Sequence, residues 1–227
     1  MTRFFQSTGL ITFEAKENDA HLLFAANQDL SEKALPILKK IYNEVSAYAQ
    51  SDPEFVRAMS PRKAGKEAPA IIKEMVKAAQ QAKVGPMATV AGAIAEAVGK
   101  ELLTDDQELI IENGGDIFVR LNQPRKMKIN DQLALELDPQ KYPYTVSILP
   151  GPKKAFSFGK ADTIVVIAKS GILADAAATA IGNEIKEIND IERGLNVARK
   201  IKGLNGVLII KDGQTGILGK MKLVPLN

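Results

Sequence analysis

The sequence of 227 residues contains no cysteine and a single histidine, His21. The absence of cysteine excludes disulfides, thiolate nucleophiles and zinc-thiolate centres. One histidine excludes a multi-histidine metal site and argues against a Ser-His-Asp triad. His21 begins the apolar run HLLFAA, so we interpret it as an ordinary strand side chain. Any metal is therefore expected to be a hard cation bound through oxygen.

Long apolar runs and clustered charge are also missing. No stretch approaches the roughly 20 apolar residues that cross a bilayer, and the N-terminal MTRFFQSTGLITF lacks the layout of a signal peptide. The 30 basic and 27 acidic residues are scattered, whereas a nucleic-acid surface requires clustered positive charge. We therefore expect a soluble cytoplasmic protein with no nucleic-acid or membrane partner.

The residues that are present predict an ordinary globular core. The hydrophobic share of 45% and the charged share of 25% are typical of folded domains. β-rich runs come in pairs around turn residues, and runs with helical apolar spacing lie between the pairs. This order predicts an α+β fold with antiparallel sheets and packed helices. Asp29 or Ser31 is expected to cap the first helix.

Two echoes within the chain indicate an internal duplication. AIAEAVGKEL at 93–102 resembles AAATAIGNEI at 176–185, and LIIENG at 109–114 resembles LIIKDG at 208–213. The two pairs have different spacings, which requires an extra helix in the second half. Our hypothesis is a single domain of residues 1–227 with similar halves at 1–122 and 140–227. The segment NQPRKMKINDQLALELDPQKYP alternates too weakly for an assignment.

Two glycine-containing stretches are candidates for ligand binding. In ENGGDIF at 112–118, Gly114 and Gly115 allow a hairpin turn with positive φ. The same freedom lets successive N–H groups face an anion or a flat ring, beside Asn113 and Asp116. In KVGPMATVAG at 83–92, Gly-Pro precedes a helix whose first N–H groups lack internal partners and could bind phosphate. A plain hairpin and a plain helix entry remain the alternatives.

The helix LADAAATAIGNEI at 173–185 carries a carboxylate and a hydroxyl among alanines. Asp175 and Thr179 are four residues apart and therefore share a helix face. Asp175 near the helix start gains about 0.3–1 kcal/mol from the helix dipole, and Thr179 could bond back to the preceding turn. Neither explanation accounts for the pair. A carboxylate and a hydroxyl with small neighbours suit Mg²⁺ that keeps its waters and binds phosphate.

Four motifs in this order resemble an uncharacterised branch of the ApbE superfamily, the FAD:protein FMN transferases. They are GPMATVAGAIAEAVG, ENGGDIF, SFGKAD and LADAAATAIGN. The resemblance implies a duplicated ββααββ (T-fold-like) unit. It also implies that Asp175, Thr179 and the carbonyl of Ala88 bind Mg²⁺. The nucleotide pocket that it predicts consists of Gly85, Met87, Thr89, Asn113, Gly114, Gly115, Asp116, Ser157 and Gly159.

The sequence departs from the transferase pattern in two places. The transferases usually carry a His-x-x-Asp-Pro motif before the metal-binding helix, and this chain has no histidine there. ILPGPKK at 148–154 stands where the branch often has a serine- and threonine-rich loop. We therefore expect FAD or FMN bound with Mg²⁺, and FMN transfer to a protein acceptor as the finer hypothesis. The alternatives are a nucleotide-binding protein without transfer chemistry and a structural homo-oligomer.

Overall fold

A computed structural model describes residue 5 and residues 7–105, 107–151 and 157–226. The described residues form six α-helices: α1 Ser31–Ser51, α2 Pro53–Arg57, α3 Ala70–Ala82, α4 Val90–Leu102, α5 Gly171–Glu184 and α6 Ile191–Lys200. They form eleven strands: β1 Ile11–Glu17, β2 Ala20–Ala26, β3 Leu109–Asn113, β4 Asp116–Arg120, β5 Arg125–Lys128, β6 Leu133–Leu137, β7 Tyr144–Pro150, β8 Thr163–Ala168, β9 Leu204–Lys211, β10 Gln214–Gly219 and β11 Lys222–Pro225.

The strands make two antiparallel sheets. The larger sheet has eight strands in the order β1-β2-β3-β4-β7-β8-β9-β10, and the smaller has three in the order β11-β6-β5. Short turns connect β1 to β2, β3 to β4 and β9 to β10, as in the Gly114-Gly115 turn that pairs Asn113 with Asp116. Helices connect β2 to β3 and β8 to β9, and these strands are also neighbours in the sheet. The predicted α+β class with antiparallel sheets is confirmed.

Alternating side chains divide the large sheet between two cores. Ile164 and Val166 of β8 pack with the helices, while Val165 between them packs with the small sheet. Because successive strand residues face opposite sides, the molecule has three layers: helices, large sheet and small sheet. Both faces of the central strands are buried, which explains runs such as TIVVIA without polar alternation.

The middle of the chain gave no assignment from sequence, and it forms the small sheet. β5 and β6 pair as a hairpin, with Met127 opposite Leu135. β11, from the C-terminal end of the described chain, adds to the other side of β6. Short strands that pair with a distant segment show weak local periodicity, because their stability comes from packing on the large sheet.

Both halves of the chain follow the order strand-strand-helices-strand-strand, and each supplies four neighbouring strands of the large sheet. This order agrees with the predicted ββααββ halves, although the duplication itself stays a prediction. The predicted N-cap at Asp29 or Ser31 is wrong, because Leu30 is the N-cap of α1 and no side chain caps it. The Asp29 carboxylate, one residue earlier, accepts the N–H of Ser31 at 2.9 Å.

Candidate functional site

Helices α4 and α5 cap one another where they cross. The Asp175 carboxylate, one turn into α5, accepts the N–H of Gly92 in the first turn of α4 at 3.0 Å. The Glu96 carboxylate of α4 accepts the N–H groups of Gly171 at 2.6 Å and Ile172 at 3.2 Å at the start of α5. These are N–H groups that a helix cannot pair internally. Each helix therefore completes the other's N-terminus.

Glycine at the crossing point allows this close approach. A Cβ on Gly171 would lie 3.1 Å from the carbonyl oxygen of Gly92 and 2.9 Å from the Thr145 hydroxyl on β7. A Cβ on Gly92 would lie 2.9 Å from the Cβ of Asp175. The Asp175 side chain is thus fixed against the start of α4 and above strand β7.

The β3–β4 turn attaches to the same place. The Asn113 amide donates to the carbonyl of Ala91 at 3.1 Å, which holds the turn against the first turn of α4. Gly114 and Gly115 have φ values of 65° and 120°. The carbonyl of Gly115 accepts the N–H of Ile148 at 2.8 Å, and a Cβ there would lie 2.5 Å from the Ile148 oxygen. Gly114 is exposed, with open space on its Cβ side.

The carboxylates of Asp116 and Asp175 have few groups around them that stabilise a negative charge. Burial raises the pKa of Asp116 to about 7, against a hydrogen bond from Ser147 that lowers it. Burial and the charge of Asp116 raise the pKa of Asp175 well above its usual range, although the Gly92 N–H opposes this shift. Among the described residues, the groups that shift these two pKa values include no basic side chain.

Two buried polar atoms beside these carboxylates have no hydrogen-bond partner in the described structure. They are Oδ1 of Asp116 and Oγ1 of Thr145. Asp116 is 6% exposed and Thr145 is 1% exposed. Buried oxygens of this kind are costly unless a donor, a water or a cation satisfies them.

This set of atoms fits a hard divalent cation that keeps part of its own ligand shell. The described residues contain no group of three or more His, Cys, Asp or Glu side chains that could hold a metal. A cation here would therefore use carboxylate, hydroxyl and carbonyl oxygens together with water or phosphate. Mg²⁺ binds in this way, through one or two carboxylates and substrate phosphates.

The remaining residues of the predicted pocket fall into two groups. Gly85, Met87, Ala88 and Thr89 lie at or in the 3-10 turn Pro86–Thr89 that leads into α4. Ala88 lies four residues before Gly92, whose N–H donates to Asp175. Thr89 is fully buried and donates its hydroxyl to the Pro86 carbonyl at 2.6 Å. The backbone of Gly85 packs against that of Ala58.

Ser157 and Gly159 lie at the other end of α5. Gly159 packs against the backbone of Gly182, and the N–H of Phe158 bonds to the Asn183 side chain at 2.9 Å. Gly182 is about 10 Å along the helix from Asp175, at 1.5 Å per residue. Thr179, which is 6% exposed, lies between the two ends. Residues 152–154 of the segment ILPGPKK lie outside the described residues.

Sequence reasoning missed Glu96, Thr145 and Ser147. A signal for Glu96 exists, because Gly92 and Glu96 on α4 have the same spacing as Gly171 and Asp175 on α5. Thr145 and Ser147 had no such signal. Their positions follow from the pairing of β4 with β7, which places Ser147 opposite Asp116.

Comparisons with known proteins identify the family and the fold of the chain. The family model described as AbpE bacteria matches residues 3–216 of the chain. The chain belongs to the ApbE-like superfamily. The UPF0280 protein of Methanocaldococcus jannaschii is 34% identical over 213 residues, which cover 88% of this chain and 86% of that protein. The UPF0280 protein of Methanococcus aeolicus is 34% identical over 224 residues, covering 90% and 84%.

Solved ApbE structures share the fold. Flavin transferase ApbE from Vibrio cholerae matches with a TM-score of 0.61 and 13% identity, over 92% of this ApbE-like chain and 96% of that one. Its histidine-to-glycine variant matches with a TM-score of 0.62 and 14% identity, at the same coverage. The apo flavinyl transferase ApbE of Pseudomonas stutzeri matches with a TM-score of 0.56 and 13% identity, over 92% and 94%. At these identities the likeness establishes the fold.

Proposed function

We propose that this ApbE-like protein binds FAD or a related flavin nucleotide together with Mg²⁺ at the α4–α5 crossing. The observation that carries the proposal is the pair of carboxylates formed by buried Asp116 and part-buried Asp175, which lie near each other without a basic partner and whose pKa values are both raised. A divalent cation would supply the missing positive charge. A pyrophosphate would complete its ligand shell.

Three groups of this chain are proposed to hold the cation. Asp175 and Thr179 present a carboxylate and a hydroxyl from successive turns of α5. The third proposed ligand is the carbonyl of Ala88, in the 3-10 turn Pro86–Thr89 that leads into α4. A bound Mg²⁺ would offset negative charge that develops on phosphate oxygens during transfer. Gly114 is exposed with open space on its Cβ side, and we propose that the nucleotide approaches its backbone there.

The finer proposal is transfer of FMN from FAD to a protein acceptor. The shared fold with ApbE flavin transferases supports it. The role of this chain would be to position the pyrophosphate against the start of α4 and to exclude water from the buried carboxylates. None of the described residues stands out as a general base, so the acceptor hydroxyl would rely on positioning and on charge stabilisation.

The second candidate function is nucleotide binding without transfer. The observation that favours it is the position of the single histidine. His21 lies on β2, where its Nε2 is 2.8 Å from a Glu14 carboxylate oxygen on β1. It is therefore on the β1–β2 hairpin rather than beside α5. A histidine that takes part in transfer would have to come from elsewhere than this chain.

A thermal-shift titration tests binding. Wild type and Asp175→Asn are measured with Mg²⁺, with FAD, and with both. We expect a large rise in the unfolding temperature of wild type only when both are present, and no such rise in Asp175→Asn. A wild type that responds to no flavin or adenine nucleotide with Mg²⁺ would contradict the proposal. Release of AMP from FAD in the presence of acceptor peptides then separates transfer from binding alone.

A further inference from the structure

The large sheet beneath the α4–α5 crossing carries two buried oxygen atoms that have no hydrogen-bond partner in the described structure. Oδ1 of Asp116 comes from β4 and Oγ1 of Thr145 from β7. Neither residue is among the Mg²⁺ ligands that the ApbE resemblance implies. Each such atom lowers the stability of the protein unless a bound species satisfies it.

Both side chains point at the helices. Phe118, which lies opposite Thr145 on the sheet and two residues after Asp116, has its ring against Gly99 of α4. Because side chains two residues apart on a strand share a face, Asp116 lies on this face as well. Ser147, opposite Asp116, bonds to its carboxylate. The sheet thus presents one polar row, Asp116, Ser147 and Thr145, in an otherwise apolar layer.

This polar row lies near the part of the α4–α5 crossing that contains Asp175. The Thr145 hydroxyl lies 2.9 Å from the position of a Cβ on Gly171, and the carbonyl of Gly92 lies 3.1 Å from the same position. Gly92 in turn donates to Asp175. Oxygen atoms from the sheet and from α5 therefore surround one small region, and two of its side chains are carboxylates.

We propose that Asp116 and Thr145 form the sheet side of the cation site, so that the cation lies between them and Asp175. This proposal rests on the cation of the proposed function. It assigns ligands on β4 and β7 in addition to those on α5. Hard divalent cations bind carboxylate and hydroxyl oxygens, and a buried carboxylate without a basic partner is the group that gains most from one.

The test uses Mn²⁺ alone as an EPR-visible probe, without and with FAD, on wild type, Asp116→Asn, Thr145→Val and Asp175→Asn. We expect Asp116→Asn to bind Mn²⁺ at least about tenfold more weakly than wild type. Thr145→Val should lose less Mn²⁺ affinity than Asp116→Asn. Thr145→Ser, which keeps the hydroxyl, should bind like wild type. Thermal unfolding of the metal-free proteins provides a second readout, since Thr145→Val replaces an unpaired buried hydroxyl and should raise the midpoint.

Thr163→Val is the matched control. Thr163 is a buried strand threonine on β8 whose hydroxyl donates to the Asp162 carbonyl at 2.7 Å. The Thr163→Val substitution should lower the unfolding temperature and leave the Mn²⁺ affinity unchanged.

Mn²⁺ binding that is lost in Asp175→Asn but unchanged in Asp116→Asn and Thr145→Val would overturn this proposal alone. Those two oxygens would then serve a buried water. A wild type that binds no Mn²⁺ under either condition would overturn the cation of the proposed function as well.

Discussion

Glu96 of α4 and Asp175 of α5 are two carboxylates at the crossing of these helices, and the groups that surround them differ. Each accepts a backbone N–H at the start of the other helix, Glu96 from the second turn of α4 and Asp175 from one turn into α5. Glu96 also accepts the Ser170 hydroxyl at 3.1 Å and pairs with Lys100 at 2.6 Å. Asp175 has the Gly92 N–H and a neighbouring carboxylate, Asp116, that repels it.

The difference separates a structural cap from a candidate ligand site. Glu96 accepts hydrogen bonds from several donors and pairs with a lysine, so its negative charge is compensated. We therefore assign this carboxylate a structural role. The surroundings of Asp175 raise its pKa and leave the adjacent Asp116 oxygen without a partner. Incomplete compensation of buried charge is characteristic of positions where a protein binds something. The same architecture thus stabilises one end of the crossing, and at the other end, where the carboxylates lack donors, we propose that the ligand binds.

The largest expected effect is on the Glu96 side. Glu96→Ala leaves the N–H groups of Gly171 and Ile172 buried without an acceptor, and we expect it to lower the free energy of unfolding by about 4 kcal/mol. Urea denaturation measures this loss. Glu101→Ala on the same helix is the control, because its exposed pair with Lys40 should contribute less than about 1 kcal/mol. Equal losses in the two variants would contradict the structural role of Glu96.

The adjacent glycines of the β3–β4 turn sharpen the same distinction. Gly115→Ala places a Cβ against the Ile148 carbonyl at a φ of 120°, so we expect a loss of about 3 kcal/mol in unfolding free energy. Gly114→Ala meets open space at a φ of 65° and should cost about 1 kcal/mol. Circular dichroism with denaturant measures both. If Gly114→Ala unfolds the protein while Gly115→Ala does not, this account of the turn is wrong.

The pH dependence of stability tests the uncompensated charge. The pKa of Asp116 is raised in the folded protein to about 7, from a usual value near 3.8. Its contribution to stability is therefore fully present below about pH 4 and is lost as the pH rises through about 7.

We expect the metal-free protein to lose on the order of 2 kcal/mol across this range relative to Asp116→Asn. Unfolding at pH 4 to 8 in a chelator measures the difference. If the free energy of unfolding depends on pH in the same way in wild type and Asp116→Asn, the negative charge of Asp116 is neutralised within the protein and this account is wrong. Mg²⁺ added at pH 8 should restore part of the wild-type loss.

The fold class was predictable because its signals are local. Paired β-rich runs around ND, GG and DG turns predict antiparallel hairpins. The apolar spacing of α1 and α3 predicts amphipathic helices. The β5–β6 hairpin was not predictable. Its strands are only four and five residues long, and β11, from a distant part of the sequence, completes their sheet.

The candidate site was predictable where one helix or turn carries it. Asp175, Thr179 and the turn from Asn113 to Asp116 stand out as polar residues in apolar surroundings. Thr145 did not, because it lies in the strand YTVSILP and becomes part of the site only through the pairing of β4 with β7. The helix crossing that joins Asp175 to Gly92 depends on tertiary packing, which single-sequence patterns do not encode.

The smallest expected effect on stability is that of Asp175→Asn. An amide oxygen can still accept the Gly92 N–H, and the repulsion from Asp116 is removed. We therefore expect the free energy of unfolding in a chelator to change by less than about 1 kcal/mol, or to rise. Asp190→Asn is the contrast, because Asp190 accepts the N–H groups of Lys186 and Glu187 with a lowered pKa. A larger loss in Asp175→Asn than in Asp190→Asn would make Asp175 a structural cap like Glu96.

The most direct test of the central claim is calorimetric titration of FAD into wild type and Asp175→Asn, each with Mg²⁺ and with a chelator. The claim is that the Asp175 side of the crossing is completed by a cation and a nucleotide. It predicts that wild type binds FAD with Mg²⁺ and at least about tenfold more weakly without it, and that Asp175→Asn shows no Mg²⁺ dependence. Equal FAD affinity of the two folded proteins with and without Mg²⁺ would contradict it.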